Sequence, residues 1–170
     1  MKKILCTLLT AVLFATGTVT AFADSSTVPV DLTVEAPIFS VTVPTSLPIT
    51  LTSAGEVVVA DNIAIVNNSA GPVKISAITT NGAGGWITDD YDTFAPQSSK
   101  INSKNFAMSL TLGSTTVHTK GGNLNDFGGS VVLAKGQSLP LVYDAKVPAQ
   151  KEASSNAQIA EVVFTVGWDE

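Results

Sequence analysis

Period-two alternation of apolar and polar residues constrains this chain more than any other feature. Phe106, Met108, Leu110 and Leu112 share one face of Asn105–Leu112, and Ala160, Val162, Phe164, Val166 and Trp168 share one face of Ala160–Trp168. Leu139, Leu141, Tyr143, Ala145 and Val147 repeat the pattern over 139–147. Side chains two apart point the same way only in an extended chain, so each run reads as a strand with one face in a core. Further strands are expected at 30–35, 38–43, 47–52, 56–60, 63–65, 73–77, Thr115–His118 and 130–134. No segment carries a helical stripe, and 150–158, with its Ser-Ser-Asn centre, suits a loop. Gly, Asn, Asp and Pro clusters separate the runs, and many short strands spaced in this way indicate an all-β fold, an antiparallel β-sandwich of jelly-roll-like or Ig-like type.

Three finer expectations follow. The turn Asn67-Asn68-Ser69-Ala70-Gly71-Pro72 joins two strands, with Gly71 supplying a positive-φ position. Pro29, Pro37, Pro44, Pro48, Pro140 and Pro148 lie in or beside strands. Proline cannot donate to a ladder, so those strands are edges or their ends lie off it. Alternation continues almost to the last residue, so the final strand is expected to be central or well docked, with Asp169 and Glu170 trailing.

The first 23 residues read as a secretory signal peptide. Lys2 and Lys3 precede a largely apolar stretch over 4–21, and Ala21-Phe22-Ala23 offers small residues at the cleavage positions. Threonines dilute the stretch, so it is not a clean membrane span. Cys6, the sole cysteine, opens the stretch and leaves with it. The expected location is extracellular, at the cell surface or in a matrix. Residues 24–36 form an N-terminal arm or first strand, and 37–170 a single sandwich domain. After cleavage the chain carries seven lysines, fourteen acids and no arginine, a net charge of −7 with His118 neutral. Nucleic-acid binding relies on clustered Lys and Arg and is not expected. No later apolar run is long enough to span a bilayer.

Reactive constellations are sparse. His118 is the only histidine, so no His-pair zinc site can be built, and no serine sits in a Gly-x-Ser-x-Gly elbow. The chain is read as a non-enzyme without a cofactor, calcium being the one cation considered. Asp89, Asp90 and Asp92 are the densest carboxylates, and oxygen-rich loops hold calcium. The spacing lacks a full calcium-loop pattern, so a solvated acidic loop is the plainer reading. Trp86, Tyr91 and Phe94 lie in or beside that loop, where exposed aromatics could stack on sugar rings. The plainer reading of Trp86 is a plug at one end of the core. In the arm, Val28, Val30, Leu32 and Val34 share one face of an extended chain. Such a segment can add as a strand to a neighbour's sheet or pair within its own domain.

With its Ala-Phe-Ala cleavage site, "IVNNSAGPVKISAI" and the closing "EVVFTVGW", the chain resembles secreted surface and matrix proteins of Gram-positive bacteria, of the TasA/camelysin type. A slighter similarity is to WxL-type wall-associated domains, although Trp86 is followed by Ile-Thr and Trp168 by Asp-Glu. The first resemblance implies a jelly-roll-like sandwich and, for some members, fibres formed by strand exchange. The protease activity attached to the camelysin name lacks histidine pairs here. The expected function is therefore a non-enzymatic extracellular structural or interaction protein, a fibre or biofilm-matrix subunit whose partners are further copies of itself or cell-wall and matrix components. A monomeric carbohydrate-binding or adhesion module is the alternative.

Overall fold

The structure, a computed structural model, describes Val30–Glu170. The signal-peptide reading of 1–23 and the arm residue Val28 lie outside the described residues. Eleven strands are present among the described residues: β1 Val41–Thr42, β2 Ile49–Leu51, β3 Val57–Val59, β4 Ala64–Asn67, β5 Val73–Gly82, β6 Ile87–Thr88, β7 Asn105–Leu112, β8 Thr115–His118, β9 Val131–Leu133, β10 Ser138–Lys146 and β11 Ala160–Trp168. The only helical element among the described residues is one 3₁₀ turn, Pro96–Ser98.

The alternating runs form the fold that their period demands. One sheet has the order β1-β4-β10-β7-β6, with β8 also paired to β7. A second has the order β11-β5-β9, and β2 and β3 make a separate hairpin. All pairs are antiparallel except β6 with β7. Ile65, Phe106, Met108, Leu110, Leu112, Val117, Leu141 and Tyr143 from the first sheet meet Val73, Ile75, Ile78 and Leu133 from the second in one buried cluster. Two sheets with their apolar faces closed on one core make an all-β antiparallel sandwich. The hairpin is pinned to this core by Tyr143, whose hydroxyl donates to Pro48 O (2.6 Å) and accepts from Ala60 N (3.1 Å). No helix among the described residues is long and apolar enough to cross a membrane.

Pro140 sits within β10, but the last rung between β10 and β7 is Leu141↔Leu112, so its missing N–H falls beyond that ladder. Gly71 corrects an expectation: it is not among the residues with positive φ. The turn is shaped instead by buried Asn67. The Asn67 side-chain amide donates to Gly71 O, Leu133 O and Ala134 O, and its Oδ1 accepts from Ser69 N. These bonds tie the β4–β5 turn to the end of β9, so the amide does the shaping that a left-handed glycine was expected to do. Gly71 instead faces the Trp168 ring, 3.5 Å from where a Cβ would stand.

Of the two expectations for the final strand, the structure takes the second. β11 is docked on β5 along its full length, with a register shift between Thr165 and Val166, while its other side has no partner among the described residues, so it is a well-docked edge strand. The strand expected at 30–35 is not formed. Chain contacts divide the molecule between Val34 and Glu35. Val30–Val34 belongs to no strand or helix and has no pairing partner among the described residues, and Val30, Leu32 and Val34 are 93%, 86% and 74% exposed.

Candidate functional site

Two surfaces concentrate the features that function could use. The first is the acidic and aromatic loop that leaves β6. Pairing of β8 with β7 and of β7 with β10 puts His118, Ser109 and Asp144 on one rung. Tyr91 lies across that rung. The Tyr91 hydroxyl donates to Asp144 Oδ2 (2.6 Å), its ring tilts against the His118 ring at 4.7 Å, and Lys146 Nζ stands 4.4 Å from its centroid. Lys146 also donates to Tyr91 O at 2.6 Å, which anchors the loop backbone. Burial, then the hydrogen bond to Asp144 and the nearby carboxylate charges, push the Tyr91 hydroxyl pKa up to about 12.

The three loop carboxylates are consumed within the protein. Asp89 accepts from Asp90 N and from Asn105 Nδ2. Asp90 Oδ1 accepts from Asp92 N and Thr93 N, so it shapes the loop backbone. Asp92 meets His118 Nδ1 at 2.6 Å and is hydrogen-bonded by Lys120 Nζ. The Lys120 bond, with a smaller contribution from His118, holds the Asp92 carboxyl below its usual pKa, and the same bond raises that of Lys120. Lys120 also lies 3.9 Å from both Asp90 and Asp126. A lysine ammonium thus stands beside Asp90 and Asp92, two of the three carboxylates considered for calcium. Among the described residues no group of three or more His, Cys, Asp or Glu side chains is arranged to hold a metal ion.

The aromatic trio is dispersed. Trp86 packs edge-on to Phe106 at 6.5 Å and joins the core. Tyr91 is engaged as described, and Phe94 alone lines an open groove. The Asp92–His118 pair is half of a hydrolytic triad, and Ser109 faces His118 across the rung, but no hydrogen bond joins them. The sequence does not assign His118, Lys120, Asp144 and Lys146 to this site. The outward parity of His118 on β8 and of Asp144 and Lys146 on β10 marks these three as surface residues, but strand pairing is needed to bring them to the loop; Lys120 lies just past β8 and bridges to Asp90.

The second surface is the free edge of β11. Ala83 N donates to Ile159 O, Asp169 N to Pro72 O and Ser76 Oγ to Thr165 O. Odd-numbered residues therefore direct their backbone groups to β5. Those of Ala160, Val162, Phe164, Val166 and Trp168 point off the sheet, because the two directions alternate along an antiparallel strand. The same five side chains turn toward the core but are only half-buried, as are Ile49, Leu51, Val57 and Val59 of the hairpin. Other edges are short or sealed. β1 has two residues and β9 three, and the part of β5 beyond β9 is capped by side-chain oxygens, Asn125 Oδ1 taking Thr80 N and Asn123 Oδ1 taking Gly82 N. β11 offers nine residues with no proline or lysine and one charge, Glu161.

No protein-family model, curated protein or solved structure matches this chain.

Proposed function

We propose that this is a non-enzymatic extracellular structural protein, a fibre or matrix subunit that assembles by strand addition. The observation that carries the reading is the nine-residue free edge of β11 with its half-buried apolar face. A row of unpaired N–H and C=O groups beside incompletely covered apolar side chains is a template for another strand. The arm supplies a matching segment: Val30, Leu32 and Val34 alternate, carry no partner strand and are exposed. At ~3.3 Å per residue, 28–34 would span roughly 20–25 Å of an edge about 30 Å long. An arm given to one neighbour and an edge filled by another make a head-to-tail contact, which propagates instead of closing. The resemblance to TasA/camelysin-type matrix proteins and the secretory reading of 1–23 agree with this role.

Electron microscopy of the purified protein with and without residues 24–34 tests the proposal. Filaments are expected only with the arm present. Filaments that form equally well without it, or never form with it, would overturn strand addition by the arm.

A further inference from the structure

A separate surface suggests that the protein also binds a ligand. Sixteen residues, 89–104, connect β6 to β7 with only one 3₁₀ turn of regular structure. A connection of that length without secondary structure of its own is usually functional or disordered. This one is fastened at several points: Lys146 holds Tyr91 O, Asn102 N donates to Ala149 O (3.0 Å), Lys151 N donates to Asn102 Oδ1 (2.8 Å), and Gln150 Nε2 donates to Ser103 O (3.3 Å). The loop encloses an open groove of about 560 Å³, within the range of small-molecule sites. Because its walls are tied to β10 and to 149–151, the groove is preformed.

We propose that this groove is a saccharide-binding site. Its lining alternates hydrogen-bonding and apolar groups. Ser103 Oγ donates to Asn105 Oδ1 (3.0 Å) and Asn105 Nδ2 donates to Asp89 Oδ2 (3.3 Å), an orienting chain that fixes the amide and the carboxylate. The Asn102 amide has its oxygen engaged by Lys151, which leaves its N–H groups for a ligand. Phe94 and exposed Ile101 give apolar surface in the same lining. A pyranose ring presents that combination: hydroxyls that donate and accept at once, and a C–H face that packs on apolar and aromatic surface. Charge argues for a neutral ligand, since Asp89 and Lys100 bring one charge of each sign to the groove. A phosphate-bearing ligand would call for a cluster of cations. The site keeps Phe94 from the aromatic trio and replaces Trp86 and Tyr91 with the amide-lined loop.

The test is an NMR titration of the ¹⁵N-labelled protein with β-1,4-linked oligomers of glucose and of N-acetylglucosamine, each at millimolar concentration. Saturable shifts confined to 93–105 are expected. Pull-down on insoluble chitin and on peptidoglycan separates wall-bound glycan from free oligosaccharide as the source. Asn105→Ala and Phe94→Ala are each expected to weaken binding by about tenfold or more, as loss of a buried polar or aromatic contact does. The Asn105 variant keeps the test valid if the Phe94 variant fails to fold. No shift with either oligomer, shifts centred outside the loop, or unchanged binding by the folded variants would overturn the site. Filament formation is scored separately, so loss of this site leaves the assembly reading standing.

Discussion

At the scale of single residues, two positions carry sharp consequences. Gly82 ends β5 where the chain folds back on itself: a Cβ there would stand 1.9 Å from Trp86 O and 2.8 Å from Trp86 C, both backbone atoms that cannot step aside. Gly82→Ala is therefore expected to cost about 2–3 kcal/mol through forced backbone displacement. At Gly128 the nearest atom is 3.8 Å away, and Gly128→Ala should stay within ~0.5 kcal/mol. Urea-denaturation midpoints of the two variants check the contrast. The Tyr91–Asp92 latch sets the pH response. Asp92 is held below the ordinary carboxyl value of 3.8, so its contribution is present above the unfolded carboxyl pKa and lost as pH falls through the depressed folded value. Lys120 is raised above 10.5, so its contribution holds below that value and is lost as pH rises through the raised one. Tyr91 moves from 10.0 to about 12, so folding favours its protonated form, and stability falls as pH rises between those values. Melting temperature measured against pH should show that alkaline decline, and Tyr91→Phe should flatten the part of it contributed by the phenol. Asp92→Asn should flatten the acid limb. Unaltered limbs in these variants would contradict the latch.

At the scale of elements, β11 decides the most. Val162 directs its N–H off the free edge, so Val162→Pro removes a donor that β5 does not use, while Val163→Lys puts a charge on the outer face of the edge strand. Both devices protect edges in natural sheets. On the proposed reading each variant remains a folded monomer and loses filament formation, checked by circular dichroism and electron microscopy; filaments as abundant as those of the parent would count against β11 as the acceptor. The same strand shows what the sequence could convey. The bounds of β7 and β11 are legible because alternation spans each of them, and period two records which side chains face a core. Alternation does not record whether a strand has one lateral neighbour or two, so the sequence leaves β11 as central or merely well docked, and only the sheet order places it at an edge. β6 is invisible for a different reason: two residues in a parallel pair are too few to show a period. The acidic loop is legible as a cluster, but His118 reaches it from β8, Lys120 from just past the end of β8, and Asp144 and Lys146 from β10, through pairings between residues distant along the chain. The turn at Asn67 is legible as a turn, whereas the amide that shapes it acts through bonds to β9, 66 and 67 residues away.

At the scale of the whole molecule, the proposed assembly makes acceptor and donor separable parts of one chain. The acceptor lies in 35–170, which holds the eleven described strands and the buried core, and the donor lies in the arm. A synthetic peptide of residues 24–36 should therefore act in two opposite ways. Added to protein lacking the arm, it would fill the β11 edge and cover Val162, Phe164 and Val166. Ligand that binds only the folded state stabilises it by about 2.7 kcal/mol at a concentration of 100 times Kd. For a domain of this size that corresponds to a rise in melting temperature of roughly 5–15 °C. Added in excess to the full-length protein, the same peptide would occupy edges that a neighbour's arm should take, so filaments should shorten as peptide rises. A peptide with Val30, Leu32 and Val34 replaced by serine keeps the backbone and loses the apolar face, and should do neither. A third peptide, with the residues of 24–36 in scrambled order, distinguishes register from composition, because a shift by one residue turns the apolar set away from the core. Stabilisation without filament shortening would mean that the edge binds the arm but that growth uses another contact. Neither effect, with filaments still forming, would place the growing contact away from β11.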